Sequence, residues 1–149
     1  MSPSDRLLHL IMKNILIFPK SSRNTVLLVE DCEDLRDIMV QYLLDEHPGL
    51  SIQTASNGVE ALDKITQRAP ALLITNINMP RMNGITLLKT LQEKGITMPT
   101  LATSGWWTEE ALEKELFAQD FVPDKAIEFL QKPFRFEDLG SLVEKLRKL

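Results

Sequence analysis

Glu30 and Asp31 are adjacent carboxylates, and Asn76, Asn78, Ser104 and Lys132 each lie just beyond a short apolar run further along the chain. Two neighbouring carboxylates with no neutralising partner repel one another, so a hard cation such as Mg2+ is favoured beside them. Magnesium prefers oxygen ligands, keeps several waters and usually binds together with phosphate. A serine hydroxyl and a lysine amine close by would hold phosphate oxygens. The residue types therefore suit phosphoryl transfer stabilised by a metal ion and a lysine. Singly they say little, because an acidic pair, a Lys-Pro step or a Ser-Gly turn is common on any surface. Their order along the chain carries the signal.

That order matters only if the fold brings the residues together. Thr25–Val29 is a short, nearly all-apolar run, as expected of a strand buried on both faces. Leu35, Ile38, Met39, Tyr42 and Leu43 then recur at helical spacing until Pro48-Gly49. Ser51–Ala55 is a second strand, and Asn57 caps a helix carrying Val59, Leu62 and Ile65. Ala71–Thr75 is the third strand. Ile85, Leu88 and Leu91 mark the next helix, and Gly95 stands where a helix C-terminus favours glycine. Thr100–Thr103 is the fourth strand. Thr108 caps a helix with Glu109 and Glu110 in its first turn, where acids suit the helix dipole. Ile127–Leu130 is the fifth strand, and Phe136, Leu139, Leu142, Val143 and Leu146 line the last helix.

Five βα units predict an α/β fold, a doubly wound five-stranded parallel sheet with helices on both faces. Alternation alone admits the flavodoxin-like order 2-1-3-4-5 or another doubly wound order. In either case the site lies at the carboxyl ends of the strands, and there Glu30-Asp31, Asn76, Ser104 and Lys132 fall.

The bulk properties narrow the class. The 149 residues, 44% hydrophobic and 26% charged, suit one soluble domain, expected over residues 25–149 after an extension and linker at 1–24. A net charge of −4 and a pI near 5.2 give no basic footprint for nucleic acid. The lone Cys32 excludes an internal disulfide framework and fits a reducing cytoplasm. No stretch approaches the ~20 apolar residues of a membrane span. The nearest, residues 7–18, is broken by His9, Lys13 and Asn14 and lacks a small-residue cleavage site. That segment packs on the domain, precedes a true start at Met12, or helps to form a homodimer.

The segments VEDCEDLR (29–36), MPRMNG (79–84), TSG (103–105) and FLQKPF (129–134) together resemble the receiver domain of two-component response regulators, from Asn24 to Leu149. The resemblance implies the order 2-1-3-4-5 and no enzymatic turnover of its own. It implies Asp31 as direct metal ligand, Glu30 as an acid acting through water, and the Asn78 backbone carbonyl as a further ligand. Ser104 and Lys132 would bind phosphoryl oxygens, Phe129 would be an aromatic switch residue moving with Ser104, and the Lys132–Pro133 bond would be cis. The implied partners are a histidine kinase or histidine phosphotransfer protein, and a downstream protein on the face of the fourth helix, fifth strand and fifth helix. The FLQKPF ending resembles receivers attached to hybrid histidine kinases, which suggests a phosphorelay.

Asn76 departs from the family. It aligns with the phosphoacceptor aspartate and with one of the metal-site residues. A neutral amide is a poor nucleophile and cannot become an acyl phosphate. Its presence also removes one of three negative charges, so Mg2+ affinity should fall. Asn76 then marks either a natural pseudo-receiver acting as a protein-binding module or a substitution that disables a working receiver. Deamidation is slow before the β-branched Ile77.

A smaller departure is the segment from Trp106 to Gln131, which is longer than in typical receivers. Exposed, its aromatics would suit an interface, but Phe117 and Phe121 are expected to pack on the sheet. No output domain follows within these residues, so a stand-alone or excised receiver is expected. A haloacid-type phosphatase would need an aspartate nucleophile in a DxD arrangement after the first strand, where Glu30-Asp31-Cys32 stands. A flavodoxin-like cofactor protein would need a Ser/Thr/Gly-rich phosphate loop there, which is also missing.

Overall fold

The computed structural model describes residues 2–6, 23–121 and 126–149. Most of the proposed N-terminal extension, residues 7–22, lies outside them.

Five parallel strands, β1 (Thr25–Val29), β2 (Ser51–Ala55), β3 (Leu72–Asn76), β4 (Thr100–Ser104) and β5 (Ile127–Gln131), form one sheet in the order β2-β1-β3-β4-β5. The helices between and after them are α1 (Glu33–Glu46), α2 (Gly58–Gln67), α3 (Gly84–Glu93), α4 (Glu109–Ala118) and α5 (Phe136–Arg147). The flavodoxin-like order is thus the one adopted. The reversal of strand order falls between β1 and β3, where ligand crevices of doubly wound sheets open.

Side-chain alternation along the central strands divides the core in two. Leu27, Val29, Leu73 and Ala102 face one way and meet Ala61 and Ile65 of α2, Leu87, Leu88 and Leu91 of α3, and Leu112 and Leu116 of α4. Val26, Leu28, Leu72, Ile74 and Leu101 face the other way and meet Met39 and Leu43 of α1 with Leu139, Val143 and Leu146 of α5. Both faces are covered, so β3 and β4 are buried throughout and read as apolar runs. The edge strand β2 alternates exposed and half-buried residues before the buried Ala55.

The expected caps form. Asn57 accepts from the Glu60 backbone N–H at 2.9 Å, and Thr108 accepts from that of Ala111 at 3.2 Å. Asn83, the fifth residue of the MPRMNG segment, also caps α3 by accepting from the Thr86 N–H at 2.9 Å. Gly95, one residue past the C-cap of α3, has φ 71°, the left-handed conformation that favours glycine there.

Four strand ends, on three strands, differ from the sequence-based bounds. β3 begins at Leu72 rather than Ala71 and ends at Asn76, because Asn76 still pairs with Thr103 in the ladder. β4 and β5 each run one residue further, pairing Ser104 with Gln131.

Candidate functional site

Sheet register brings the chemistry-bearing residues level. Val29 pairs with Thr75 and Asn76 with Thr103, so Glu30 and Ser104 emerge on either side of Asn76. The Lys132 N–H donates to the Ser104 carbonyl at 2.8 Å, which ties the end of β5 to the end of β4. The Lys132–Pro133 peptide is cis.

Below Asn76 the chain comes very close. A Cβ on Gly84 would stand 2.7 Å from the Asn76 carbonyl oxygen and 2.9 Å from the Ile77 side chain. The Gly84 N–H donates to the Ile77 carbonyl at 2.8 Å. Glycine at 84 therefore lets the N-terminus of α3 close against the end of β3 and fold the MPRMNG loop back over the site. Arg81, at φ 69°, makes the turn.

Asn76 is the centre of the cluster. Its carboxamide nitrogen Nδ2 donates toward Glu30 Oε2 at 3.2 Å, Asp31 Oδ1 at 2.9 Å and the Asn78 backbone oxygen at 3.0 Å. Lys132 Nζ forms an ion pair with Glu30 Oε1. The Ser104 hydroxyl donates to Asn78 Oδ1 at 3.0 Å and accepts from the backbone N–H groups of Trp106 and Trp107, each at 3.0 Å. Glu30, Asn76 and Ser104 are buried, whereas Asp31 is exposed.

The two carboxyls are pushed apart. Burial, with the Asp31 carboxyl beside it, raises Glu30 above the usual carboxylate range despite Lys132. Burial also pushes Asp31 upward, but hydrogen bonds with the Glu30 carboxyl, with Asn76 and with its own backbone N–H, and the Lys132 charge, together lower it. As pH rises, Asp31 therefore ionises before Glu30.

Six of the sequence-predicted residues, Glu30, Asp31, Asn76, Asn78, Ser104 and Lys132, thus form one connected network. Phe129 does not join it. It pairs with Ala102, two residues before Ser104, and lines an apolar cavity of about 310 Å³ with Leu112, Leu116, Phe117, Phe121 and Ile127. The expected packing of Phe117 on the sheet is corrected: it is 82% exposed. Leu112 and Leu116 point inward at i, i+4, which turns the next residue of α4 outward. Phe121 and Trp107 are half-buried against the core, and Trp106 is 86% exposed. Val122 lies outside the described residues.

Sequence reasoning missed the Asn78 side chain as acceptor for Ser104. It also missed the double acceptance by the Ser104 hydroxyl. The second had a signal, since serine hydroxyls at turns accept N–H bonds from residues shortly after them. The first had none, because it joins two loops.

Residues 26–144 match the family model of the response regulator receiver domain, and the chain belongs to that family. It is a receiver domain of two-component signalling. The DNA-binding transcriptional regulator NtrC of Escherichia coli K12 is 28% identical over 123 residues, which cover 83% of this chain and 24% of that protein. The protein-glutamate methylesterase/protein-glutamine glutaminase of Treponema denticola is 32% identical over 127 residues, covering 83% and 33%. Those names describe unlike activities, so the shared stretch is the receiver and not the output. The chain spans about half, or less, of the length of the curated relatives it matches. Among solved structures, the receiver domain of the Francisella response regulator 1452 superposes with a TM-score of 0.69 at 26% identity, covering 84% of this chain and 97% of that one.

Receiver domains of this family bind Mg2+, are phosphorylated, and interact with histidine kinases and phosphotransfer proteins. The residues present here do not fit a cation in the arrangement they adopt. No group of three His, Cys, Asp or Glu able to hold a metal occurs among the described residues. The Asn76 amide instead directs its N–H donors at Glu30 Oε2, Asp31 Oδ1 and the Asn78 carbonyl oxygen. Among the described residues no helix is long and apolar enough to cross a membrane.

Proposed function

We propose that this chain is a receiver whose phosphoacceptor position, 76, is disabled as asparagine, and that it carries signal through protein contacts. The observation that supports this most is the placement of Asn76 at the end of β3, inside a network of Glu30, Asp31, Asn78 and Lys132 that otherwise suits a phosphoryl group. Asp31, Glu30 and the Asn78 carbonyl are the metal-site residues of the parent design, with Mg2+ affinity weakened by Asn76. Ser104 and Lys132 are its phosphoryl-binding pair, and Phe129 its switch ring. A histidine kinase or phosphotransfer protein is the donor in that parent design. The downstream partner docks on α4, β5 and α5, where Phe117 is exposed. The chain itself catalyses no turnover, and its place is the cytoplasm.

The test is restoration. Asn76→Asp, given a small phosphodonor such as acetyl phosphate with Mg2+, should take up acid-labile phosphate, while the asparagine form should take up none. No uptake by either form would favour the second reading, a phosphorylation-independent binding module. One observation supports that reading: the Ser104 hydroxyl already has three partners and is not free to meet a phosphoryl oxygen.

A further inference from the structure

We propose that the Asn76 carboxamide takes the place of a divalent cation in this chain, so that the site is ordered and closed without metal. The inference rests on the reading of position 76 given above and deepens it from loss of an acceptor to replacement of a ligand.

The amide nitrogen sits among three oxygens at 2.9–3.2 Å, contributed by the ends of β1 and β3: Glu30 Oε2, Asp31 Oδ1 and the Asn78 carbonyl. A side-chain amide has two N–H donors and no net charge. Two donors shared among three acceptors polarise the oxygens as a cation would, but more weakly. What makes the weaker donor sufficient is the charge count. With asparagine at 76 the cluster contains two carboxyl groups and one ammonium, and that ammonium, Lys132, is already paired with Glu30. With aspartate it would contain a third carboxylate against the same lysine, a repulsion that a bound cation would offset.

Geometry also opposes metal entry. Magnesium demands oxygen ligands at about 2.0–2.1 Å in an octahedral shell. To admit it, the Asn76 amide would have to turn its oxygen inward and abandon all three hydrogen bonds. The loop after β3 is meanwhile held on both sides. The Asn78 carbonyl accepts from Asn76, and the Asn78 side chain accepts from Ser104. Both links use protein groups alone, so the loop needs no ion to be fixed.

Thermal unfolding in EDTA and in MgCl2 at matched ionic strength tests this. The asparagine chain should melt at the same temperature in both. Asn76→Asp should melt at least about 3 °C lower than the parent in EDTA and recover on adding MgCl2. Titration calorimetry of MgCl2 into the asparagine chain should give only heats of dilution, and this readout holds even if the variant folds poorly. A saturable heat, or a saturable Mg2+-dependent rise in the melting temperature of the asparagine chain, would overturn the proposal. So would an Asn76→Asp variant as stable in EDTA as the parent. Failure of that variant to take up phosphate sinks the functional reading but leaves these metal comparisons untouched.

Discussion

The ion pair between Lys132 and Glu30 joins the end of β5 to the end of β1 across the whole site. The Glu30 side chain is 2% exposed and that of Lys132 is 22% exposed. Burial of a carboxylate is tolerable only while a partner offsets the lost hydration. Lys132→Met should therefore lower stability by about 3 kcal/mol at neutral pH, because it strands the Glu30 charge among buried neighbours. Urea denaturation would show this as a lower midpoint with an unchanged slope. A loss of under about 0.5 kcal/mol would mean that the pair contributes no more than a surface salt bridge. At this scale the sequence disclosed residue types and their rank along the chain. It did not disclose partners. That Lys132 would meet Glu30, or that Asn78 would receive the Ser104 hydroxyl, depends on loops whose path no local pattern dictates.

Among the elements, α2 shows how a few residues fix a helix start. Asn57 caps it, and Glu60 reaches back to accept from the Ser56 N–H at 2.9 Å and the Ser56 hydroxyl at 2.8 Å. These bonds from Ser56, with Lys64 adding to them, hold the Glu60 carboxyl down at about 2. A lowered pKa contributes stability that is present above the unfolded value and lost as pH falls through the folded one. The window thus runs from 4.5 down to about 2. Glu60 is 40% exposed, so solvent screening limits the effect to about 1 kcal/mol. Glu60→Gln should cost that much at neutral pH, and the gap to the parent should close as pH approaches 2 in acid titrations followed by circular dichroism. A gap that is constant with pH would place the effect in packing instead. Element type was readable throughout, since the central strands are short apolar runs, the edge strand β2 alternates, and the helices carry recurring apolar residues. Strand ends were less so, because Asn76, Ser104 and Gln131 are polar residues kept in the ladder by their neighbours and not by their own preference. Phe117 misled for a related reason: an apolar residue on a helix need not lie on its inner stripe, and Leu112 and Leu116 already fill it.

In the whole molecule, the sheet separates two cores that share no buried side chain. Ile65 belongs to the one built from α2, α3 and α4, and Ile74 to the one built from α1 and α5. Ile65→Val and Ile74→Val should each cost about 0.5–1.5 kcal/mol. The double variant should lose their sum to within about 0.5 kcal/mol. A coupling energy beyond that in a chemical-denaturation cycle would mean that the sheet transmits repacking from one face to the other. The parallel, doubly wound class followed from alternation of elements, but the strand order did not, because nothing local distinguishes β1 beside β3 from β1 at an edge. The order found was implied only by the resemblance of the strand-end motifs to receiver domains.

The close approach of Gly84 to Asn76 bears on inheritance as well as shape. The contact is made by the backbone at 76, and the side chain points away from it into a cluster of oxygens. An aspartate has almost the same outline as an asparagine, so neither α3 nor the loop beneath would need to repack around it. Asparagine and aspartate codons differ in a single base. The gene can therefore cross between the two residues in one mutational step in either direction, with the surrounding scaffold already suited to both.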